Sequence, residues 1–103
     1  MTKQKNALDA FAALRRSLQA REMLVALERH GVGNDEIFYH WLGRIGLGPS
    51  HRDLSDLLDQ LEAEGFIETE QVDQHRVIKA TRTGIEIAQA RTQVEWIARS
   101  DPR

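Results

Sequence analysis

Apolar residues recur at spacings of three and four along the first part of the chain. Leu8, Phe11, Leu14 and Leu18 are followed by Ala20, Met23, Leu24 and Leu27. That period predicts amphipathic helix from about Asn6 to His30. Ser17 is a candidate N-cap, so one long helix and two shorter ones both fit. Gly31-Val32-Gly33 ends the segment. Asn34 is placed to cap a second helix, with Asp35 and Glu36 in the first turn, where the helix dipole favours carboxylates. Ile37, Phe38, Trp41, Leu42 and Ile45 form its apolar face, and it stops near Gly46. A turn, Gly46-Leu47-Gly48-Pro49-Ser50, leads to a third helix, where Ser50 and Asp53 stand at capping-box spacing. Leu54, Leu57, Leu58 and Leu61 then fall on one helical stripe, and Gly65 is placed to close it in a left-handed conformation.

The pattern changes after Gly65. Phe66–Glu70 and Arg76–Ala80 are short and rich in β-branched or aromatic residues, and the polar stretch Gln71–His75 joins them. This predicts a β-hairpin. A last helix starts at Thr81 or Thr83, with Ile85, Ala88 and Thr92 along one side and Ile87 and Val94 nearby. The expected fold class is therefore mainly α with a small β-hairpin. A helix–turn–helix followed by a two-stranded ribbon is the winged helix arrangement, here with an extra N-terminal helix.

The residues around the third helix carry a resemblance. Leu58-Asp59-Gln60-Leu61-Glu62-Ala63-Glu64-Gly65-Phe66-Ile67 resembles the Leu-x-x-Leu-Glu-x-x-Gly-Leu-Ile run that leads from recognition helix to wing in bacterial winged helix-turn-helix transcriptional regulators of MarR/ArsR/PadR-like type. Ala80-Thr81-Arg82-Thr83-Gly84-Ile85 resembles the Leu-Thr-x-x-Gly that follows their second wing strand. From about Leu18 to Ile97 the layout is similar to small winged-helix proteins of Mu-like phages and prophages. The resemblance implies a winged helix with Thr81 as a helix cap, and a DNA-binding regulator of phage or prophage type. It divides the chain into an N-terminal helical extension (1–16), a winged helix domain (17–98) and a flexible tail (99–103).

In a helix–turn–helix the N-terminal residues of the second helix meet the base edges. His51, Arg52 and Ser55 occupy that end, and arginine can bond a guanine edge through two parallel hydrogen bonds. His75 and Arg76 are the candidates on the wing. Charge opposes this reading. The chain has 14 Lys plus Arg against 16 Asp plus Glu, a formal net charge of −2, and the distribution is uneven. Residues 1–30 sum to +3, residues 31–65 to −5, and residues 66–103 to zero. Between Ser50 and Gly65, Arg52 faces Asp53, Asp56, Asp59, Glu62 and Glu64. Phosphate contacts supply much of DNA affinity, so an acidic helix works against it. The alternative is a winged-helix protein-interaction or assembly module that does not bind DNA.

Other chemistry is excluded or weak. Without cysteine there are no disulfides, thiolate metal sites or cysteine nucleophiles. His30, His40, His51 and His75 lack ligand spacing, so no metal site is expected. No phosphate-binding glycine motif is present, Asp56 and Asp59 read as solvated carboxylates, and neither an enzyme nor a cofactor is expected. No apolar run approaches the roughly 20 residues of a membrane span, which makes a soluble cytoplasmic protein the expectation. Leu8, Phe11 and Leu14, with Trp96 and Ile97, exceed the needs of a small core and are the candidate interface of a homodimer.

Overall fold

The computed structural model describes residues 2–101, with side chains from residue 7 onward. Four helices and three strands follow in the order α1 (Thr2–His30), β1 (Val32–Asn34), α2 (Asp35–Arg44), α3 (His51–Ala63), β2 (Ile67–Val72), β3 (His75–Ala80) and α4 (Arg82–Ala88). The strands form one antiparallel sheet in the order β1-β3-β2.

The N-terminal segment is one helix of 29 residues. Ser17 lies within it, and its carbonyl accepts from the Ala98 N–H at 3.2 Å. Ala20, Met23, Leu24 and Leu27 turn into the core. Gly31, at φ +88°, ends the helix and returns its N–H to the Leu27 carbonyl.

Val32-Gly33-Asn34, expected as a connection only, is a third strand paired with β3, Gly33 opposite Ile78. Gly33 is required there, because a Cβ would stand 2.6 Å from the Phe38 ring. Asn34 serves both elements, since its Oδ1 accepts from the Ile37 N–H at 2.8 Å and caps α2. The apolar face of α2 is narrower than its sequence suggests: Phe38 and Leu42 are buried, while Ile37 and Ile45 are exposed.

The α3 boundaries follow local chemistry. Ser50 Oγ accepts from the Asp53 N–H at 3.0 Å, and Gly65 takes φ +82°. The Phe66 N–H then reaches the Leu61 carbonyl and the Gly65 N–H that of Glu62, the paired bonds of a Schellman turn. The hairpin is tighter than expected. Val72 pairs with His75, leaving Asp73 and Gln74 as a two-residue turn with Asp73 at φ +54°.

Thr81 is the cap of α4. Its hydroxyl accepts from the Gly84 N–H and donates to the Gly65 carbonyl at 2.6 Å, joining α4 to the end of α3. A Cβ on Gly84 would collide with the Phe66 carbonyl oxygen. The last helix is shorter than its period suggests. Ala90 at φ +61° ends it, and residues 89–101 run back without regular structure. Ile97 enters the core of its own chain with 6% exposure, and Val94 and Trp96 pack against that core. The expected loose tail from 99 is packed as far as the buried Ser100, while Pro102 and Arg103 lie outside the described residues. No described helix is long and apolar enough to cross a membrane.

The approach of α4 to the Phe66 carbonyl makes Gly84→Ala a backbone collision. We expect it to lower the unfolding free energy by about 2–3 kcal/mol, against about 1 kcal/mol for loss of the cap in Thr81→Ala. Urea denaturation checks both, and equal midpoints for Gly84→Ala and the parent would contradict the packing described.

Candidate functional site

The N-terminal end of α3, the polar side of α2 and the hairpin surround a cleft of about 440 Å³. Four of the five residues proposed for contact from sequence line it: His51, Ser55, His75 and Arg76. The fifth, Arg52, is exposed on α3 but does not line the cleft, and its side chain makes no hydrogen bond or ion pair with described residues.

Two of these residues differ from expectation in what they can reach. Arg76, proposed as a free wing contact, is only 18% exposed. Its guanidinium lies 2.8 Å from Asp59 Oδ1, donates to Glu62 Oε1 at 3.0 Å and donates to Thr69 Oγ1 at 3.1 Å. The reason is register. Arg76 pairs with Gln71, below the tip, on the side of the hairpin that faces α3. His75 is likewise drawn inward, with Nδ1 3.6 Å from both Asp35 Oδ1 and Glu36 Oε2. The Arg76 guanidinium, held by two carboxylates, contributes no net positive charge toward a phosphate.

His51 has a different role. Its ring stacks on Tyr39 with centroids 3.9 Å apart and planes 9° from parallel. Tyr39, Asp35 and Glu36 are cleft residues that the sequence reading missed as a site. Their signal is an i, i+4 relation: Asp35 and Tyr39 flank the buried Phe38–Leu42 face of α2, and Glu36 and His40 lie further round on its exposed side.

The basic N-terminal helix also turns its charge inward. Arg15 donates to the Gly46 carbonyl at 3.3 Å and to the Gly48 carbonyl at 2.8 Å. Gln19 donates to the Leu47 carbonyl between them, also at 2.8 Å. Arg16 donates through Nε to Gln60 Oε1 at 3.0 Å and lies over the Trp96 ring. Arg21 pairs with Glu22. The residues proposed for self-association separate in the same way. Leu8, Phe11 and Leu14 are 64%, 65% and 58% exposed. Ile97, by contrast, is buried within its own chain, and Trp96 is partly buried and donates to Glu64 Oε1 at 3.0 Å. Among the described residues no group of His, Asp or Glu could hold a metal ion.

Glu62 is the centre of the link between α3 and the hairpin. The Thr69 hydroxyl donates to it at 2.9 Å, the Thr69 N–H at 3.1 Å, and Arg76 adds a further bond. These donors favour the ionised form, Thr69 foremost, and hold the carboxyl below its ordinary value of 4.5. The folded protein therefore takes up this proton at lower pH than the unfolded chain. The stabilisation is full above the unfolded value and is lost as pH falls through the folded one. Urea midpoints measured from about pH 6 to pH 3 should fall more steeply for the parent than for Glu62→Gln, and parallel profiles would refute the link.

The chain matches no family model, no curated protein and no solved structure.

Proposed function

We propose that this chain is a winged helix-turn-helix module whose α3–hairpin face docks a cationic segment of another protein. The element order supports the fold: α2 and α3 make the helix–turn–helix, β2 and β3 the wing, and β1 joins the wing strand β3 between α1 and α2. One observation carries the functional choice. Arg76, the wing cation nearest α3, is neutralised by Asp59 and Glu62. What the face then presents beyond that pair is exposed carboxylate at Asp56 on α3 and Asp73 at the hairpin tip, with Asp35 and Glu36 across the cleft. Binding to DNA draws affinity from cations that release counterions at phosphates, and this face offers few.

Arg52 favours a second reading, sequence-specific DNA binding of a regulatory kind. It is exposed, lacks a partner among the described residues, and stands at the end of α3 that would meet base edges. His51 and Ser55 accompany it. Only Arg52 brings full positive charge.

Fluorescence anisotropy separates the readings. A labelled random duplex should not bind at low salt, where even non-specific DNA association appears, whereas a labelled basic peptide should bind and weaken as salt rises. Asp56→Lys should reduce peptide binding severalfold. Arg76→Ala should cost about 1–2 kcal/mol of stability through lost ties and leave duplex binding unchanged. Duplex binding at low salt that Arg52→Ala abolishes would replace the docking proposal with the DNA one.

Self-association is a further part of the proposal, now confined to Leu8, Phe11 and Leu14 on the projecting half of α1. Light scattering should give twice the 11.8 kDa chain mass, and Phe11→Ser should return one chain mass. A parent mass of 11.8 kDa at high concentration would end this part of the proposal.

A further inference from the structure

The cleft beside α3 has a more specific chemistry than the acidic face around it. Leu54 and Leu58 are buried residues that line it. The stacked Tyr39–His51 pair supplies a delocalised ring surface. Asp35 and Glu36 bring two carboxylates from the first turn of α2. Those carboxylates alone would be an ordinary solvated helix start. What sets the place apart is the stacked ring pair and the two buried leucines beside those carboxylates in one open cleft.

We propose that this cleft receives the guanidinium group of an arginine on the docked partner, an inference that rests on the docking reading above. The chemistry selects that group over its rivals. A guanidinium is planar, so it stacks on a ring while its forked donors meet a carboxylate, and its propyl stem lies against apolar side chains. A lysine ammonium is compact and strongly hydrated, so it meets carboxylate and ring as a point charge, without planar stacking or forked donors. A phosphate or other anion meets Asp35 and Glu36 here and Asp59 and Glu62 behind Arg76. The carboxylates retain capacity. Asp35 Oδ1 accepts the N–H groups of Glu36 and Arg76 at 2.9 and 3.2 Å, but the nearest cation-forming group to Glu36 among the described residues is His75 at 3.6 Å. A carboxylate has about four acceptor positions, so both residues can take donors from an incoming guanidinium.

The test compares two labelled nonapeptides of equal charge, one with arginine and glycine alternating and one with lysine in place of arginine, by anisotropy against the full chain. The arginine peptide should bind about tenfold more tightly. Glu36→Gln, on the exposed rim, and Tyr39→Leu should each weaken the arginine peptide by about fivefold or more and the lysine peptide little. Glu95→Gln, exposed in the C-terminal segment and outside the cleft, should leave that preference intact. Thermal melts followed by circular dichroism establish that each variant is folded, and Glu36→Gln retains the test if Tyr39→Leu is not. Equal binding of the two peptides, insensitive to Glu36→Gln, would overturn the cleft assignment and leave the docking face standing. Failure of both peptides to bind at low salt would overturn both.

Discussion

The turn between α2 and α3 presents the carbonyls of Gly46, Leu47 and Gly48 where no helix or strand can satisfy them, and α1 supplies the donors. Arg15 reaches the outer two and Gln19 the middle one. Each such bond contributes about 1 kcal/mol, so Arg15 and Gln19 together tie the turn to α1. Leu47 adds its own N–H bond to the Leu42 carbonyl, and Pro49 is buried. The relative placement of α2 and α3, and with it the cleft between them, depends on two side chains one helical turn apart on α1.

That arrangement has an electrostatic consequence. A guanidinium bonded to backbone carbonyls keeps its charge, but its donors are directed inward. Arg15 braces the turn, Arg16 braces α3 through Gln60, and Arg76 braces the hairpin against Asp59 and Glu62. Arg15, Arg16 and Arg76 thus each serve a contact within the fold, while Arg29 stays exposed. Of the carboxylates of α3, Asp59 and Glu62 hold Arg76, whereas Asp53 and Asp56 are exposed and in no ion pair with described residues. A net charge of −2 therefore understates how acidic the α3 face is, because the compensating charge is turned elsewhere.

The same distinction explains what could be read from the chain. Asn34, Ser50 and Thr81 as caps, and Gly65 as a left-handed helix end, were legible because each acts on a backbone group within a few residues. The leucine stripe of α3 was legible because helical period reports burial. The strand β1 was not. Three residues carry no alternation to detect, and Val32–Asn34 becomes a strand only because β3 arrives from more than forty positions away, Val32 against Lys79. The C-terminal segment failed for a related reason. Ile97 and Trp96 look like spare apolar residues until the chain turns at Ala90 and brings them onto α1 and α3. Of the residues proposed from sequence for DNA contact, the structure brings His51, Ser55, His75 and Arg76 around one cleft, but the partners of Arg76 lie 14 and 17 residues away on α3, where no local pattern reports them.

Fold and function separate at this point. A helix–turn–helix beside a hairpin is a packing solution: three amphipathic helices enclose a core, and a sheet held by its central strand β3 closes one side. Nothing in that packing requires the outer face of α3 to be basic. The sign of the face is set by residues that the core does not constrain, and one register position decides the largest of them. If the side chain at 76 were carried by a residue at the hairpin tip, it would stand clear of α3 and present its charge to solvent. At its actual position it meets Asp59 and Glu62, and the same arginine becomes a clamp between α3 and the hairpin. A shared topology therefore leaves the ligand open, while the pairing of Arg76 sets how much positive charge the hairpin offers beside α3.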